Sequence, residues 1–182
     1  KFYYGGRNEC MTKLGHIQKK LYYVDFTSLY PYIMQKYEFQ YGEVEELDIK
    51  TKKFNPDWFG FVKCRFRHKK QNRIPLHAVV IDGKLCFPYA EKWVESIIST
   101  EEIRYSLKKR LGYQYEYIKV YNYKKKARYF KKSVDELYKM KLDAQKDNNK
   151  ALRSIAKIII NSLYGFFGIR YKDREQTKII KE

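Results

Sequence analysis

Two long segments with a helical pattern, separated by a short turn, place the strongest constraint on how this chain folds. Residues 134–146 and 150–166 repeat apolar side chains at spacings of three and four, which predicts amphipathic helices. The three residues between them are Asp147, Asn148 and Asn149, and these residue types favour turns. The pattern therefore predicts a helical hairpin late in the sequence.

The central part of the chain has mainly strand patterns. Residues 62–67 alternate between apolar and basic side chains, as in a strand with one buried face, and residues 113–117 place a tyrosine at every second position. Residues 79–87 contain Asp-Gly between two short apolar runs, which predicts a two-residue β-hairpin. Residues 91–111 are predicted to be largely helical, with a break near position 99 and Thr100 as the N-cap of a second helix.

The first forty residues are predicted to contain one strand and one short helix. Residues 17–26 end in an apolar run, which predicts a buried strand with Asp25 at its end. Residues 29–37 predict a short helix that tolerates Pro31 in its first turn. With the central strands and the helical hairpin, these elements predict an α+β fold.

The charge of the chain points to a polyanionic partner. Its 182 residues include 39 Lys and Arg against 21 Asp and Glu, a net charge of +18. Residues 104–132 contain eleven basic residues and one acidic residue, so more than half of that charge lies there. Nucleic acid is the usual partner of so basic a segment, and a solvated face without a partner is the alternative. The content of 44% hydrophobic and 18% aromatic residues excludes a disordered basic tail.

Other compositional features exclude several kinds of site. No run of about 18 apolar residues is present, so no membrane-spanning segment and no membrane partner are predicted. The three cysteines include no C-x-x-C pair and the three histidines have no metal-ligand spacing, so we predict no zinc site, and packing or indifferent roles for the cysteines. The 19 tyrosines fit either base stacking or an AT-rich coding sequence, and composition does not separate the two.

The last predicted helix has a polar stripe beside an apolar one. At 100° per residue, a stripe roughly 80° wide contains Arg153, Lys157, Asn161 and Tyr164. The opposite side, which we predict to be a core face, carries Leu152, Ile155, Ala156, Ile159 and Leu163. A triphosphate along the polar stripe would meet two cations and an aromatic ring. An ordinary solvated helix face is the alternative.

Three short motifs resemble those of family B DNA polymerases. Residues 157–165 have the pattern K-x-x-x-N-S-x-Y-G, similar to the second polymerase motif, and residues 25–31 have the pattern D-x-x-S-L-Y-P, similar to the first. Residues 3–6 resemble the Y-x-G-G element that precedes the first motif in the protein-primed branch. The motifs occur in the order found in the family, and the likeness is greatest to polymerases of linear plasmids and protein-primed viruses.

The resemblance implies part of a right-hand polymerase. Residues 1–37 would be a portion of the palm, and residues 38–126 an inserted β-rich region of the kind that contacts the priming protein and DNA. Residues 127–168 would be fingers built as a helical hairpin, and residues 169–182 the start of the return to the palm. A linear mitochondrial plasmid and a virus are both compatible sources.

The resemblance also implies roles for individual residues. Asp25 would be the catalytic carboxylate and would hold Mg²⁺ or Mn²⁺ together with the carbonyl oxygen of Phe26. Tyr30 would be the steric gate against ribose, and Lys157 would bind the triphosphate. The full nucleotide-binding set would be Leu29, Tyr30, Lys141, Lys157, Asn161 and Tyr164. The residues that contact DNA would be Tyr3, Gly5, Gly6, Ser28 and Gly165.

Some features of the family are missing from the sequence. The second carboxylate motif, Y-x-D-T-D-S, has no counterpart here, and neither do the proofreading motifs or the thumb. We therefore expect this to be part of an enzyme that uses a DNA template-primer, deoxynucleoside triphosphates and a terminal protein. We expect the 182-residue chain alone to bind nucleic acid but not to polymerise. The alternatives are a non-catalytic basic nucleic-acid-binding module, an RNA-synthesising polymerase and a decayed copy.

Overall fold

The computed structural model describes residues 7, 20, 22–68 and 74–167, which belong to two compact units. Unit 1 comprises the described residues up to Glu38 and from Arg128 onward, and unit 2 is Phe39–Ala127. The elements in chain order are α1 (Leu29–Lys36), β1 (Phe39–Thr51), β2 (Gly60–His68), β3 (Val79–Ile81), β4 (Lys84–Cys86), β5 (Val94–Ser99), α2 (Thr100–Lys108), β6 (Tyr113–Ala127), α3 (Lys131–Lys146) and α4 (Lys150–Phe166). This mixture confirms the α+β class. No described helix is both long and apolar enough to cross a membrane.

Unit 2 is organised around a four-stranded antiparallel sheet in the order β1-β6-β2-β5. The longest strand, β6, pairs with β1 on one side and with β2 on the other. Its alternating tyrosines lie opposite the apolar positions of β2, with Tyr115 opposite Phe66 and Tyr117 opposite Cys64. The strands predicted at residues 62–67 and 113–117 are therefore confirmed, because side chains two residues apart share one face of a sheet.

The core of unit 2 lies on one face of this sheet, under α2. Val62, Cys64 and Phe66 are almost completely buried there, together with Ile98 of β5 and Ile103 of α2. Burial raises the pKa of the Cys64 thiol to about 12, because the thiolate would lose its hydration. Cys64 has the packing role that its sequence context predicts.

The β-hairpin predicted at residues 79–87 is also confirmed. β3 and β4 pair with each other through an Asp82-Gly83 turn whose φ angles are 49° and 75°. Two successive positive φ angles define a type I′ turn, and its twist matches that of the flanking strands.

The predicted helical content of residues 91–111 is wrong in its first half. Val94–Ser99 forms β5, which pairs with β2, so the tertiary partner overrides the local pattern. The helix that follows is capped by Ser99, whose hydroxyl accepts from the backbone N–H of Glu102 at 3.2 Å. The predicted cap, Thr100, is instead buried and accepts a hydrogen bond from the backbone N–H of Gly60 at 3.1 Å.

Gly60 begins β2 at a point where two strands approach closely. Its φ is 142°, and a Cβ atom added there would lie 2.3 Å from the backbone oxygen of Tyr121. Because backbone cannot move aside as a flexible side chain can, this position accepts only glycine.

Unit 1 contains the helical hairpin α3–α4, against which α1 packs. The helical hairpin and the helix at residues 29–36 confirm the helices predicted at residues 134–146, 150–166 and 29–37. In the connecting turn, Asn148 has a φ of 52°, and the side-chain oxygen of Asn149 accepts from the backbone N–H of Leu152 at 3.0 Å. Asn149 is thus the N-cap of α4, which satisfies one of the free N–H groups of its first turn.

The strand predicted to end at Asp25 is wrong for the residues that the structure describes. Residues 22–26 have no regular secondary structure, and their side chains are exposed, with Tyr23 at 96%. A strand needs a hydrogen-bonding neighbour, and the described part of unit 1 contains helices but no strand.

The buried face of α4 also differs from the prediction. Ala156 and Ile160 are buried, whereas Ile155 and Ile159 of the predicted core face are 51% and 42% exposed. At 100° per residue, the buried stripe is rotated by roughly 60° toward the polar stripe. The residues predicted to bind a nucleotide therefore border the packed interior of unit 1.

Candidate functional site

The first motif occupies the chain before α1 and the first turn of that helix. Asp25 and Phe26 are both exposed, so the carboxylate oxygens of Asp25 are open to solvent. Ser28 has left-handed backbone angles (φ 54°, ψ 46°) and its side chain makes no capping hydrogen bond. A serine in this conformation stores about 1 kcal/mol or more of strain, and such strain is common at functional sites. Ser28 thus stands at the N-cap position of α1 without providing a side-chain cap.

The two motifs meet through a pair of stacked tyrosine rings. The rings of Tyr30 on α1 and Tyr164 on α4 have centroids 4.3 Å apart and planes 14° from parallel. Tyr30 is 42% exposed and Tyr164 is partly buried, so the pair lies at the edge of the packed interior. Two residues that are 134 positions apart in the sequence therefore contact each other, as expected if both motifs contribute to one site.

The rest of the polar stripe on α4 is open to solvent. Lys157 and Asn161 are exposed, one and two turns after the stripe begins at Arg153. Tyr164 follows Ile160 by four residues and so extends the buried stripe of the helix toward the polar one. The stripe thus presents a cation, an amide and an aromatic ring along one line, as its sequence predicts.

Lys141 and Gly165 differ in their surroundings. The ammonium group of Lys141 lies 5.6 Å from the ring centroid of Tyr138, one turn earlier on α3, and the lysine is partly buried. Gly165 is exposed, and no described atom lies within 4 Å of a Cβ added there. Glycine lowers helix stability by about 1 kcal/mol relative to alanine, and nothing described around Gly165 requires it.

A polar contact between α1 and α3 was not predicted from the sequence. The side-chain amide of Gln35 donates to Oδ1 of Asp135, whose Oδ2 lies 2.5 Å from Nζ of Lys131. The Lys131 ammonium and then the Gln35 amide lower the pKa of Asp135, because both stabilise the carboxylate. The spacing of Lys131 and Asp135 by four residues is the one sequence signal for this cluster.

The described donors fit part of a divalent-cation site. Among the described residues, no three His, Cys, Asp or Glu side chains lie close enough to hold a metal ion. Asp25 and the carbonyl of Phe26 offer oxygen ligands, which Mg²⁺ and Mn²⁺ prefer, and proteins commonly hold Mg²⁺ through one or two carboxylates plus substrate phosphates. Asp25 therefore fits as one ligand of a site that needs further oxygens.

The basic stretch at residues 104–132 is partly neutralised by contacts that the sequence does not reveal. In unit 2, Nζ of Lys119 lies 2.5 Å from Glu46, and Nζ of Lys124 lies 3.1 Å from Glu45. Both acids belong to β1, a strand that was not predicted from the sequence. The Glu46 carboxylate raises the pKa of Lys119. Arg104 pairs with Glu101. The charge available to a polyanion is therefore smaller than the linear count suggests.

Three of the predicted DNA contacts, Tyr3, Gly5 and Gly6, lie outside the described residues. The structure therefore places Ser28 and Gly165 of that set. Of the nucleotide-binding set it brings Tyr30 and Tyr164 together directly, and it carries Leu29, half-exposed, on the same short helix as Tyr30.

Comparisons with known proteins agree with the motifs. The profile of the family described as DNA polymerase type B, organellar and viral, matches residues 1–182. A DNA polymerase of Kluyveromyces lactis is 29% identical over 180 residues, and a "Probable DNA polymerase" of Podospora anserina is 31% identical over 169 residues. These alignments cover 94% and 92% of this chain but only 17% and 13% of the relatives.

Solved structures share the fold. Phi29 DNA polymerase in an orthorhombic crystal form has a TM-score of 0.61 at 21% identity, over 79% of this chain and 25% of that one. Phi29 DNA polymerase complexed with primer-template DNA and incoming nucleotide substrates has a TM-score of 0.55 at 22% identity, over 78% of this chain and 25% of that one. At this level of identity the likeness concerns the fold alone.

Proposed function

Because this chain belongs to the organellar and viral type B DNA polymerases, we propose that its unit 1 forms the nucleotide-binding part of a polymerase active site. The reaction is the addition of deoxynucleotides to a 3′-hydroxyl, or to a hydroxyl carried by a terminal protein at initiation. The chain corresponds to a small share of its relatives, so the activity and the partners are those of a complete enzyme.

The observation that carries this proposal is the stack of Tyr30 on Tyr164. Each ring belongs to a different polymerase motif, and the contact places the motif of α1 beside the motif of α4. A sugar and a base that entered here would meet Tyr30 from the α1 side and Tyr164 from the α4 side. Tyr30 would exclude a 2′-hydroxyl by occupying its space, since a ring that is packed against a second ring cannot easily retreat.

The polar stripe of α4 supplies the groups that a triphosphate requires. Lys157 is an exposed point charge one turn before Asn161, so it can contact phosphate oxygens without the cost of leaving a packed interior. Asn161 and Tyr164 would border the nascent base pair. Lys141 would add a second cation from α3, and its position over the Tyr138 ring keeps its ammonium partly shielded from water.

Asp25 would hold Mg²⁺ or Mn²⁺ together with the carbonyl of Phe26, and a bound metal would neutralise charge that develops on the phosphates. Asp25 suits this role because its carboxylate is exposed. Ser28 and Gly165 would contact DNA. No described atom lies within 4 Å of a Cβ added at Gly165, which supports close approach of a backbone from outside the chain. Unit 2 would contact DNA and the priming protein.

Binding of a fluorescent deoxynucleoside triphosphate to the 182-residue chain, in the presence of Mg²⁺, tests this proposal. We expect Lys157→Ala to weaken binding about tenfold or more, since it removes a charge-assisted contact to phosphate. Tyr30→Ala should reduce the preference for deoxyribose over ribose. Primer extension by this chain should be undetectable, because it lacks the second carboxylate motif.

Lys139→Ala is the matched control for Lys157→Ala. Lys139 is an exposed lysine on α3, and its loss removes the same charge from the same unit. Equal weakening by both substitutions would show that only overall charge matters and would contradict the proposed site. An unchanged sugar preference in Tyr30→Ala would contradict the role of the stacked ring.

A further inference from the structure

Unit 2 contains a cavity that none of the motifs explains. Its volume is about 470 Å³, within the usual range for small-ligand sites. The residues that line it are Lys52, Phe54, Arg67, Trp93, Leu107, Tyr113, Gln114, Tyr115 and Tyr117. Five aromatic rings, two cations and one amide thus surround the space, and none of the described lining residues is acidic. We propose that this cavity binds single-stranded nucleic acid, with a base on Trp93 and phosphates at Arg67 and Lys52.

The pair formed by Arg67 and Trp93 is the centre of this site. The guanidinium carbon of Arg67 lies 4.7 Å from the ring centroid of Trp93, and its Nε donates to Oε1 of Gln114 at 2.7 Å. These contacts hold the guanidinium in one orientation, while its terminal N–H groups have no hydrogen-bond partner among the described residues. An oriented guanidinium with free donors is well suited to a phosphate.

Trp93 offers the stacking surface. Its side chain is 38% exposed, whereas the second tryptophan, Trp58, is 8% exposed and belongs to the core. A large ring left open beside a fixed cation is characteristic of sites that stack nucleobases, which contribute similarly whatever the base. The base would therefore be held without reading its identity.

Three neighbouring rings on β6 also line the cavity. The rings of Tyr113 and Tyr115 have centroids 6.0 Å apart, and those of Tyr115 and Tyr117 have centroids 5.7 Å apart, both nearly parallel. Phe54 lies against this row, with its centroid 5.9 Å from that of Tyr117. Tyr115 and Tyr117 are buried members of the unit 2 core, so the part of the cavity that they line is apolar.

Charge separates this cavity from its neighbour in the same unit. A second cavity of about 500 Å³ is lined by Arg65 and Glu116, so its cations share the space with a carboxylate. Lys52 lines both cavities and has its Nζ 3.4 Å from Glu116, which leaves Arg67 as the stronger anion contact in the first. An anionic, aromatic ligand therefore fits the cavity at Trp93 better.

A nucleic-acid strand fits these groups better than a free nucleotide does. Lys52 is exposed, Trp93 is 38% exposed and Arg67 is partly exposed, which suits a chain that continues past the site. This inference deepens the proposed function, since it gives unit 2 of a DNA polymerase a specific contact with unpaired nucleic acid. It assigns that contact to Trp93 and Arg67 rather than to the basic stretch as a whole.

Titration of the 182-residue chain with a short oligothymidylate tests the proposal through tryptophan fluorescence. We expect oligothymidylate to quench the fluorescence of Trp93, while the buried Trp58 serves as the reference. In Trp93→Phe, the only quenching left should be that of Trp58. Oligothymidylate affinity, measured by anisotropy of a labelled strand, should fall at least about fivefold in Trp93→Ala and much less in Trp93→Phe. Thymidine triphosphate alone should compete weakly.

Arg67→Ala and Arg65→Ala form the matched pair for the phosphate contact. Both remove one arginine from β2, but Arg65 lines the other cavity and lies 3.7 Å from Glu95. Arg67→Ala should reduce the slope of log affinity against log salt by about 0.7, the value for one phosphate of a single strand. Arg65→Ala should change it less.

The outcomes separate this inference from the function proposed for unit 1. Unchanged oligothymidylate affinity in Trp93→Ala, or equal losses in Arg67→Ala and Arg65→Ala, would overturn it, as would competition by free thymidine triphosphate at the same concentration. If the cavity instead receives a side chain of a partner protein, oligothymidylate should not quench the fluorescence of Trp93, and that result would also refute the proposal. Loss of triphosphate binding in Lys157→Ala would still support unit 1 in each case.

Discussion

The two units bury their apolar residues to very different extents. Unit 2 packs eleven buried residues into one core beneath its sheet. Unit 1 buries a few side chains among three helices and leaves large apolar ones exposed, including Ile155, Ile158 and Phe166 at 51%, 65% and 56%. Both polymerase motifs lie in the unit that buries less.

This difference indicates how stability and function are divided. A helix of eight residues such as α1 is marginal without tertiary packing, so unit 1 depends on the contacts of α1 with α3 and α4. Unit 2 has a closed core of its own. We therefore expect unit 2 to contribute most of the free energy of unfolding. We expect ligand binding to stabilise unit 1 more than unit 2.

The largest effect expected from this comparison is that of Phe66→Ala. Phe66 is 1% exposed at the centre of the unit 2 core, and its truncation should lower the free energy of unfolding by about 3–5 kcal/mol through lost burial and a cavity. Denaturant unfolding followed by the fluorescence of Trp58, which belongs to the same core, measures it.

Ile158→Ala is the corresponding truncation in unit 1. Because Ile158 is 65% exposed on α4, we expect a change within about 0.5 kcal/mol. A loss comparable to that of Phe66→Ala would mean that the exposed face of α4 is buried in solution, and the contrast between the units would then be wrong.

An effect between those of Phe66→Ala and Ile158→Ala is expected at the turn of the helical hairpin in unit 1. Asn149→Ala removes the side-chain acceptor for the N–H of Leu152, which should lower stability by about 1 kcal/mol. Helical circular dichroism during thermal unfolding measures it. Asn148→Gly, one residue earlier, should be neutral or slightly stabilising, since φ of 52° suits glycine. Equal losses in both variants would contradict the capping role.

The smallest effect concerns the pH dependence of unit 1. Lys131 and Gln35 lower the pKa of Asp135 in the folded state, so the unfolded state binds its proton more readily. The stabilisation is therefore present above the unfolded pKa of about 3.9 and is lost as pH falls through the lower folded value. Asp135→Asn should make the melting temperature less sensitive to acid in that window.

Glu136→Gln is the control for this titration. Glu136 is exposed on the same helix, one residue away, and its removal changes the charge equally. If Glu136→Gln flattened the acid dependence as much as Asp135→Asn, the contact with Gln35 and Lys131 would have no specific role.

Local patterns predicted the helices of unit 1 and the hairpin of unit 2 well. The failures occurred where a distant partner decided the outcome. Val94–Ser99 pairs with β2 and is a strand, although its neighbours have a helical pattern. β1 has mostly acidic and polar residues without regular alternation, and it is held by pairing with β6 and by ion pairs to Lys119 and Lys124. In both cases the pairing strand, β2 or β6, lies far away in the sequence.

The residues of the candidate site stay predictions, and the structure adds the geometry of some of them. The motif patterns indicated Tyr30 and Tyr164 as members of one pocket, and the family assignment that rests on those motifs is confirmed. Their direct stacking and the link from Gln35 to Asp135 could not be predicted, because both depend on how α1 packs against the hairpin. The cavity at Trp93 had no sequence signal beyond abundant aromatic residues.

The sequence by itself determined the family, the order of the motifs and the local elements, because turn residues and side-chain periodicity act through contacts within a few residues. Only the tertiary structure decided which face of α4 is buried, which of the basic residues are neutralised and where Arg67 meets Trp93. These outcomes depend on burial and charge contributed by residues far along the chain, which no local pattern contains.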